Sequence, residues 1–172
     1  MFPAHLRLLE KTLQMYLKPF EVRWNDLDAN MHLGNNAYIS FMSHTRMAFF
    51  YETGFSHEVL REHHIGPVIF YEHVYYLREV LPGEEVRVSL EFKGMSEDGM
   101  FFEFHHNFYD PAGRHLAHCQ MMGGWIDLRT RKLTPLEPEL LGKFEAVEKA
   151  GDFRVLTRED TRRHAVPRKD LV

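Results

Sequence analysis

The chain has 172 residues, of which 44% are hydrophobic and 27% are charged. That length suits one domain, and the composition is that of an ordinary globular protein. The formal net charge of -4 gives no broad electrostatic attraction for nucleic acid or for an anionic membrane, so we expect neither as a partner.

Cysteine content and hydropathy bear on where the protein works. Cys119 is the only cysteine, so no internal disulfide can form, and a reducing compartment is expected. The first residues lack the continuous apolar run of a signal peptide. No segment reaches the roughly 18 apolar residues that a membrane span requires. We therefore expect a cytoplasmic protein without a membrane span.

The first third of the chain predicts a short helix, a strand and a long helix. Residues 4–17 have apolar side chains at helical spacing, and residues 20–24 have the pattern of a strand. Residues 36–53 contain neither Gly nor Pro, and Gly54 is placed to end this helix in a left-handed cap. The helix is apolar around most of its circumference, which predicts that other elements wrap it.

The rest of the chain predicts four strands, one helix and a tail. The strand patterns cover residues 67–80, 85–92, 100–109 and 114–128. Gly123 and Gly124 predict a bulge or sharp bend in the last of these strands. Residues 135–149 read as a helix, and residues 151–172 as a polar, partly basic, solvated tail.

This order of elements predicts an α+β fold in which a curved antiparallel sheet of about five strands wraps a long central helix. Extra helices are expected at both ends of the chain. We predict a single domain over residues 1–172, with its core at about 18–132 and a C-terminal helix and tail at 133–172. Such a sheet leaves open edges, and pairing of those edges predicts a homodimer or a dimer of dimers.

The junction between the first strand and the long helix carries the polar groups most suited to chemistry. Asp28 is an ionisable carboxylate a few residues before the helix start, where backbone N–H groups are unpaired. A carboxylate near such donors is equipped to attack a carbonyl group. The alternative is structural, because Asp is common in turns. Asn35 or Asn36 is expected to be the residue that caps the helix.

Two segments of the chain resemble a known family. The first is the motif Asp28-x-x-x-His32-x-x-Asn35-x-x-Tyr38, followed by Arg46 on the helix. It resembles the signature of hotdog-fold acyl-CoA thioesterases of the 4-hydroxybenzoyl-CoA thioesterase type. The second segment, residues 75–86, is similar to the second strand of that family and its Pro-Gly turn. The similarity extends over roughly residues 20–130.

The resemblance implies hydrolysis of an acyl-CoA thioester, with acyl-CoA as the partner molecule and no cofactor. Asp28 corresponds to the Asp of the family that acts as base or nucleophile. The N–H groups near Asn35 and Asn36 would hold the oxyanion. His32 would polarise the thioester or orient the attacking water.

The predicted substrate-binding set contains Asp26, Met31, Gly34 and Tyr38. Asp26 could hold local structure or shift the pKa of Asp28, since two carboxylates repel each other. The family commonly has Gly at the position of Met31 and Asn at that of Gly34. These departures imply an altered pocket or reduced activity. Packing is the favoured role for Tyr38, and a structural ion pair is favoured for Arg46.

Two other kinds of function remain open at this stage. One is a non-catalytic or weakly active hotdog protein that binds an acyl group or serves as a structural dimer. The other is a thioesterase that acts on acyl carrier protein. Each keeps the predicted fold and changes only what occupies the site.

A metal site is not expected, although the chain has 12 His residues. The ligand spacings of zinc sites are missing, and His105 and His106 should point to opposite faces of a strand. Cys119 is expected to be a small buried side chain. Lys93, Arg129 and Arg131, or the basic tail, are equivalent candidates for contact with the phosphates of CoA.

Overall fold

The computed structural model describes residues 15–171, in which six strands form one sheet beside a long helix. The strands are β1 (Tyr16–Glu21), β2 (Ile65–Tyr76), β3 (Glu85–Met95), β4 (Phe101–Tyr109), β5 (His115–Asp127) and β6 (Arg154–Val155). The helices are α1 (Asn35–Glu52), α2 (His57–Glu62) and α3 (Pro138–Glu145). Short 3-10 helices cover Trp24–Asp26 and Asp160–Arg162.

The sheet has the order β1-β3-β4-β5-β2, with antiparallel neighbours throughout. β6 adds a short parallel pairing at the end of β3. Register shifts between Ile69 and Tyr71, Phe92 and Gly94, and Phe108 and Tyr109 interrupt three of the pairings. Such irregularities bend strands and increase their twist. The predicted α+β architecture, a curved antiparallel sheet packed against a central helix, is therefore confirmed.

The central helix α1 is buried on one side only. Its buried residues are Ala37, Tyr38, Phe41, Met42, Thr45, Arg46, Phe49 and Phe50. Ser40, His44, Met47 and Tyr51 face outward and are exposed. The curved sheet packs against this face as predicted, while apolar residues elsewhere on the circumference of the helix stay uncovered in the single chain. Met47 and Tyr51 leave an apolar strip on the outer face.

Glycine explains two local features of the fold. Gly54 follows α1 with a φ of 90°, which confirms the predicted left-handed cap. The predicted bulge at Gly123 and Gly124 is wrong, since the irregularity lies in the facing strand β2. A Cβ on Gly123 would lie 2.8 Å from the Phe102 ring. The two glycines therefore allow close approach of neighbouring groups.

The helix predicted over residues 4–17 is wrong in the short part of it that the structure describes. Residues 4–14 of the predicted helix lie outside the described residues. Tyr16 and Leu17, at its end, belong to β1, which pairs with β3. The strand predicted at residues 20–24 ends earlier, at Glu21, because Trp24–Asp26 turns into a 3-10 helix.

The predicted strand at residues 67–80 is too long at its C-terminal end. β2 ends at Tyr76, after which the N–H groups of Leu77 and Arg78 both donate to the carbonyl of Leu116. The chain then leaves the sheet and runs beside the start of α1, where Leu33 N–H donates to Val80 O at 2.9 Å. We call residues 77–80 the wall segment.

The C-terminal region is more ordered than a solvated tail. α3 packs Leu140 and Phe144 into the main core. Leu156 is buried in a second apolar cluster with Phe101 and Met122. Arg154 donates from Nη2 to Glu103 at 2.6 Å. The expectation of a solvated tail is thus wrong for residues 154–160, which a sheet pairing, an apolar anchor and ion pairs hold in place.

None of the helices within residues 15–171 combines the length and apolar character needed to cross a membrane.

Candidate active site

A cleft of about 360 Å³ lies between the start of α1 and the wall segment. Its lining residues are Asp28, His32, Leu33, Asn35, Tyr38, Tyr76, Leu77, Arg78 and Glu79. Four of the eight predicted site residues therefore meet in one cleft: Asp28, His32, Asn35 and Tyr38. The polar turn before α1 forms one side of the cleft, and the wall segment forms the other.

Asp28 is held by the backbone of its own turn. Its Oδ1 accepts hydrogen bonds from the N–H of Asn30 at 2.8 Å and from the N–H of His32 at 3.1 Å. These bonds, that of His32 first, hold the pKa of the Asp28 carboxyl below its usual range. The carboxylate is therefore ionised at neutral pH. Within the described residues, Oδ2 accepts no hydrogen bond, so it is available to a ligand.

The start of α1 supplies backbone donors next to this carboxylate. Gly34, and neither Asn35 nor Asn36, is the capping residue, with an extended backbone and no side-chain cap. The predicted Asn cap is therefore wrong, since Gly34 itself adopts the capping conformation. In residues 15–171, the N–H groups of Asn35 and Asn36 make no hydrogen bond to the protein. Unpaired donors of this kind attract a negatively charged oxygen.

His32 lies opposite the wall segment. Its Nε2 is 3.3 Å from Glu79 Oε2, and both side chains are partly exposed. The neighbouring backbone bond from Leu33 N–H to Val80 O fixes the distance between the two sides of the cleft. The imidazole is thereby placed at the cleft beside an acceptor carboxylate.

Aromatic side chains form the floor of the cleft. The Tyr38 ring packs edge-on against Tyr76, with 5.0 Å between ring centroids, and at a tilt against Phe108, with 4.9 Å between centroids. Phe108 is fully buried, so the core below the floor is filled. Burial, followed by the nearby Tyr76 and Asp28, raises the pKa of Tyr38 to about 12. The phenol therefore stays neutral at physiological pH.

Asp26 lies outside the cleft and is engaged in local structure. Its side chain is 5% exposed and accepts from the Arg23 backbone N–H and guanidinium at 2.9 to 3.0 Å. Hydrogen bonds from Arg23 hold its pKa below the usual range. The Asp26 carbonyl accepts the N–H of Gly34 at 2.8 Å. Asp26 therefore shapes the turn that presents Asp28 and does not contact the cleft.

Met31 and Gly34 shape the backbone of the same turn. Met31 has a φ of 61° and an exposed side chain, so it occupies the left-handed region where Gly is usual. A Cβ on Gly34 would lie 2.7 Å from Asn36 Oδ1 and 3.4 Å from Asp26 O. Neither residue lines the cleft, and both act through backbone conformation.

Arg46 is part of a buried polar cluster beneath α1. Its Nη1 lies 2.8 Å from Glu72 Oε1 and 3.4 Å from His106 Nε2. His106 donates from Nδ1 to Ser89 O at 2.7 Å, and burial, followed by the Arg46 charge, lowers its pKa to about 3. His106 is therefore neutral. The structural ion pair predicted for Arg46 is confirmed.

The wall segment contributes cleft residues that sequence reasoning did not assign to the site. Tyr76, Leu77, Arg78 and Glu79 all line the cleft. They belong to the second segment that resembles the thioesterase family. Their proximity to Asp28 depends on where β2 ends, and the strand pattern did not show this end.

No group of three or more His, Cys, Asp or Glu side chains in residues 15–171 is arranged to hold a metal ion. The His residues of β4 alternate between faces as expected, with His106 in the core and His105 on the other side. Cys119 is buried as predicted, and burial raises the pKa of its thiol to about 12. The thiol is therefore not a nucleophile at neutral pH.

The cleft thus combines an ionised carboxylate, free backbone donors and an aromatic floor. A carboxylate can add to a carbonyl carbon or activate a water molecule for that addition. Donors at a helix start can stabilise the oxygen that gains negative charge. This set of groups suits the hydrolysis of an activated carbonyl compound.

Several solved structures share the fold of this chain. No curated protein matches the chain. A hypothetical protein from Staphylococcus aureus, solved in complex with CoA, has a TM-score of 0.72 at 17% identity, over 91% of this chain and 96% of that one. A 1,4-dihydroxy-2-naphthoyl-CoA thioesterase from Synechocystis has a TM-score of 0.67 at 13% identity, over 77% and 97%.

A DHNA-CoA thioesterase from Staphylococcus aureus has a TM-score of 0.69 at 16% identity, over 76% of this chain and 89% of that one. At such identities the likeness concerns the fold. The family model of the thioesterase-like superfamily matches residues 22–144, which include the turn, α1, the wall segment and all but the last residue of α3. Because this match covers most of the chain and the hotdog fold agrees with it, the chain belongs to the thioesterase-like superfamily.

Proposed function

We propose that the protein hydrolyses an acyl-CoA thioester to a free acid and CoA. The observation that carries the proposal is that the two oxygens of the Asp28 carboxylate have different surroundings. Oδ1 is bound by two backbone N–H groups, and Oδ2 is left for the substrate. Family membership and the fold support thioester hydrolysis in general.

In the proposed reaction, Asp28 acts as base or nucleophile. Either its free oxygen or a water molecule that it deprotonates adds to the thioester carbonyl carbon. The carbon–sulfur bond then breaks, and the leaving thiolate takes up the proton that water gives. Where Asp28 itself adds, the product is an Asp28–acyl anhydride, which water then hydrolyses to the free acid and the restored carboxylate. Because its pKa lies below the usual range, Asp28 is already in the anionic form at neutral pH. No cofactor is required for these steps.

The start of α1 is the proposed oxyanion site. The N–H groups of Asn35 and Asn36 are unpaired donors at the helix start, beside the cleft. The helix dipole adds to their attraction for a negatively charged oxygen. His32 assists by orienting the attacking water or the carbonyl group, with Glu79 as its partner. The acyl group lies on the floor formed by Tyr38 and Tyr76.

The conformation of Met31 favours a catalytic site over a non-catalytic one. Met31 replaces the Gly that is usual in this family, yet it adopts a left-handed backbone, which Gly adopts most easily. The turn therefore still delivers the N–H groups of Asn30 and His32 to Asp28. The departure changes the exposed side chain and preserves the geometry of the carboxylate.

CoA is the proposed carrier of the acyl group, and a homodimer is the proposed assembly. A protein of the same fold has been solved with CoA, and another is a naphthoyl-CoA thioesterase. The dimer would form along β2, which is an edge of the sheet and ends at the cleft. An unpaired edge of this length is a ready surface for pairing.

The direct test is the substitution Asp28→Asn, assayed by thiol release from a panel of acyl-CoAs. Asn is isosteric and its oxygen can still accept both turn N–H groups, so the fold should be retained while the charge is lost. We expect kcat to fall by about 10²- to 10⁴-fold. The control is Asp152→Asn. Asp152 is exposed, pairs with Lys93 and is far in sequence from the residues that line the cleft.

Three outcomes of this assay are informative. A loss confined to Asp28→Asn supports the proposal. Equal rates in Asp28→Asn and the wild type would remove Asp28 from the chemistry. An absence of turnover for the wild type across short, long and aromatic acyl-CoAs and acyl carrier protein would contradict thioester hydrolysis as a whole.

A further inference from the structure

The cleft holds one cation that has no assigned role. Arg78 lines the cleft from the wall segment, and its side chain is exposed. We propose that Arg78 binds a phosphate group of the carrier portion of the thioester substrate. This inference rests on the proposed function, because it names the part of the substrate that the same cleft recognises.

The backbone holds Arg78 in a fixed position at the cleft. On its N-terminal side, Leu77 and Arg78 both donate to Leu116 O, at 2.9 and 3.0 Å. On its C-terminal side, Glu79 lies beside His32, and Val80 accepts the N–H of Leu33. The Arg78 main chain is thus bound on both sides, while its guanidinium remains free to meet a ligand.

Ion pairs engage about half of the arginines in residues 15–171, and Arg78 belongs to the other half. Six arginines are paired with carboxylates in the structure: Arg23, Arg46, Arg87, Arg114, Arg154 and Arg163. Arg78 forms no ion pair and no side-chain hydrogen bond with any described residue. The cation that faces the cleft is therefore available for an anion from outside the protein.

Other basic residues that could meet a phosphate are less suitable. Lys93 is bound to Glu91 and Asp152, each at 2.8 Å, so its charge is already engaged. Arg129 and Arg131 follow β5 and do not line the cleft. Of the lysine and arginine side chains in the described range, Arg78 alone lines the cleft that contains Asp28.

The division of the cleft into floor and rim favours phosphate over an acidic acyl group. The floor is aromatic, with Tyr38 and Tyr76, and suits an apolar acyl group. Arg78 is exposed, where the hydrophilic carrier would pass out of the cleft. Asp28 and Glu79 would repel a phosphate, and a guanidinium nearby offsets that repulsion. The planar donor fork of Arg matches phosphate oxygens well.

The test compares Arg78→Gln with the wild type in binding and in turnover. Binding of CoA itself is measured by calorimetry, and we expect Kd to rise about tenfold in the variant. Hydrolysis is measured with a neutral acyl-CoA and with the matching N-acetylcysteamine thioester, which has no phosphate. KM should rise about tenfold for the CoA ester alone, with kcat within about twofold.

Two further variants sharpen the comparison. Arg78→Lys keeps the charge and should recover part of the affinity, which a purely structural role would not explain. Arg158→Gln removes an exposed arginine that does not line the cleft and should leave Kd and KM unchanged.

The remaining outcomes would each overturn the proposal for Arg78. These are an unchanged Kd and KM in Arg78→Gln, an equal loss with the phosphate-free thioester, or a loss confined to dicarboxylic acyl groups on either carrier. A wild type that hydrolyses no thioester contradicts the proposed function instead, and the CoA binding data still decide the role of Arg78.

Discussion

Among single residues, the two carboxylates in the turn before α1 have different roles, one structural and one suited to chemistry. Asp26 is buried and bound to Arg23, while Asp28 is exposed and keeps one carboxylate oxygen unbound. The two carboxylates are only two residues apart, yet Asp26 is not among the groups that shift the pKa of Asp28. Backbone N–H groups tune Asp28 instead, so its anionic state depends on the conformation of the turn.

That conformation is strained at Met31. A residue with a Cβ at a φ of 61° is disfavoured by about 1 kcal/mol relative to Gly. We expect Met31→Gly to raise the free energy of unfolding by up to about 1 kcal/mol, partly offset by the greater freedom of Gly in the unfolded chain. Urea denaturation followed by circular dichroism measures the change.

Met31→Ala is the matched control for this substitution. It removes the same exposed side chain but keeps the Cβ, so the backbone strain remains and no stabilisation is expected. If Ala and Gly stabilise the protein equally, the gain comes from the lost side chain and not from φ. Since Asp28 keeps both N–H donors in either variant, thioester turnover should also persist.

At the scale of elements, the C-terminal segment is joined to the sheet through a buried carboxylate. Glu103 on β4 is 3% exposed and accepts from Gln120 and from Arg154, each at 2.6 Å. Burial raises its pKa, but hydrogen bonds from His105 and Gln120 and the Arg154 charge outweigh burial. The pKa of Glu103 falls as a result from the usual 4.5 to about 2.

This shift predicts how stability depends on pH. A carboxyl whose pKa is lower in the folded chain stabilises the fold above its unfolded pKa, and that contribution is lost as pH falls towards the folded value. For Glu103 the contribution is about 3 kcal/mol, and it should vanish between about pH 4.5 and pH 2. We expect Glu103→Gln to be less stable at pH 7 and to have a flatter pH profile in that window.

Urea unfolding at a series of pH values measures both effects. Glu148→Gln, at an exposed position on the chain that follows α3, is the control and should retain the pH profile of the wild type. Parallel pH profiles in Glu103→Gln and the wild type would show that other carboxyls, such as Asp160, dominate the acid response.

The elements differ in how far the sequence predicts them, and the reasons are physical. β3 was located within a few residues because burial alternates along its first residues. β4 and β5 are buried along most of their length, and they were located because turn residues at 94–99 and 110–113 bound their apolar runs. The end of β2 was missed because no Gly or Pro stands between Tyr76 and Pro82, so the sequence does not mark where the strand stops. The docking of residues 154–160 was missed because long-range ion pairs hold it, and these leave no periodic pattern.

The sequence also predicted one part of the site and missed another. The motif located Asp28, His32, Asn35 and Tyr38, all of which line the cleft. Arg78 and Glu79 are about fifty residues away in sequence, and only the path of β2 brings them to the turn. Asp26 and Gly34 were assigned to substrate binding because they are adjacent in sequence, although burial directs them towards the backbone of the turn.

At the scale of the whole molecule, the sheet ends in two different edges. β1 has six residues, and β2 has twelve. The residues that directly follow β2 line the cleft. Three apolar side chains on β2 or just after its end are each about half exposed: Ile69, Tyr75 and Leu77. Long edges with apolar side chains tend to pair with other strands. We therefore assign the proposed dimer contact to β2.

Matched substitutions on the two edges test this assignment. Ile69 on β2 is 45% exposed and Leu17 on β1 is 47% exposed, so a lysine at either position costs little in the isolated chain. We expect light scattering to give the wild type twice the chain mass of 20.4 kDa. Ile69→Lys should shift this towards the monomer, because a charged edge resists pairing, while Leu17→Lys should remain dimeric.

The reverse result would move the contact from β2 to the β1 edge, and a monomeric wild type would contradict the dimer altogether.

The cleft adds a second readout, because Tyr76 and the wall segment continue directly from β2. If pairing of β2 stiffens this side of the cleft, Ile69→Lys should raise KM for acyl-CoA even though Ile69 does not line the cleft. Leu17→Lys should leave KM unchanged, since β1 joins the sheet at the opposite edge.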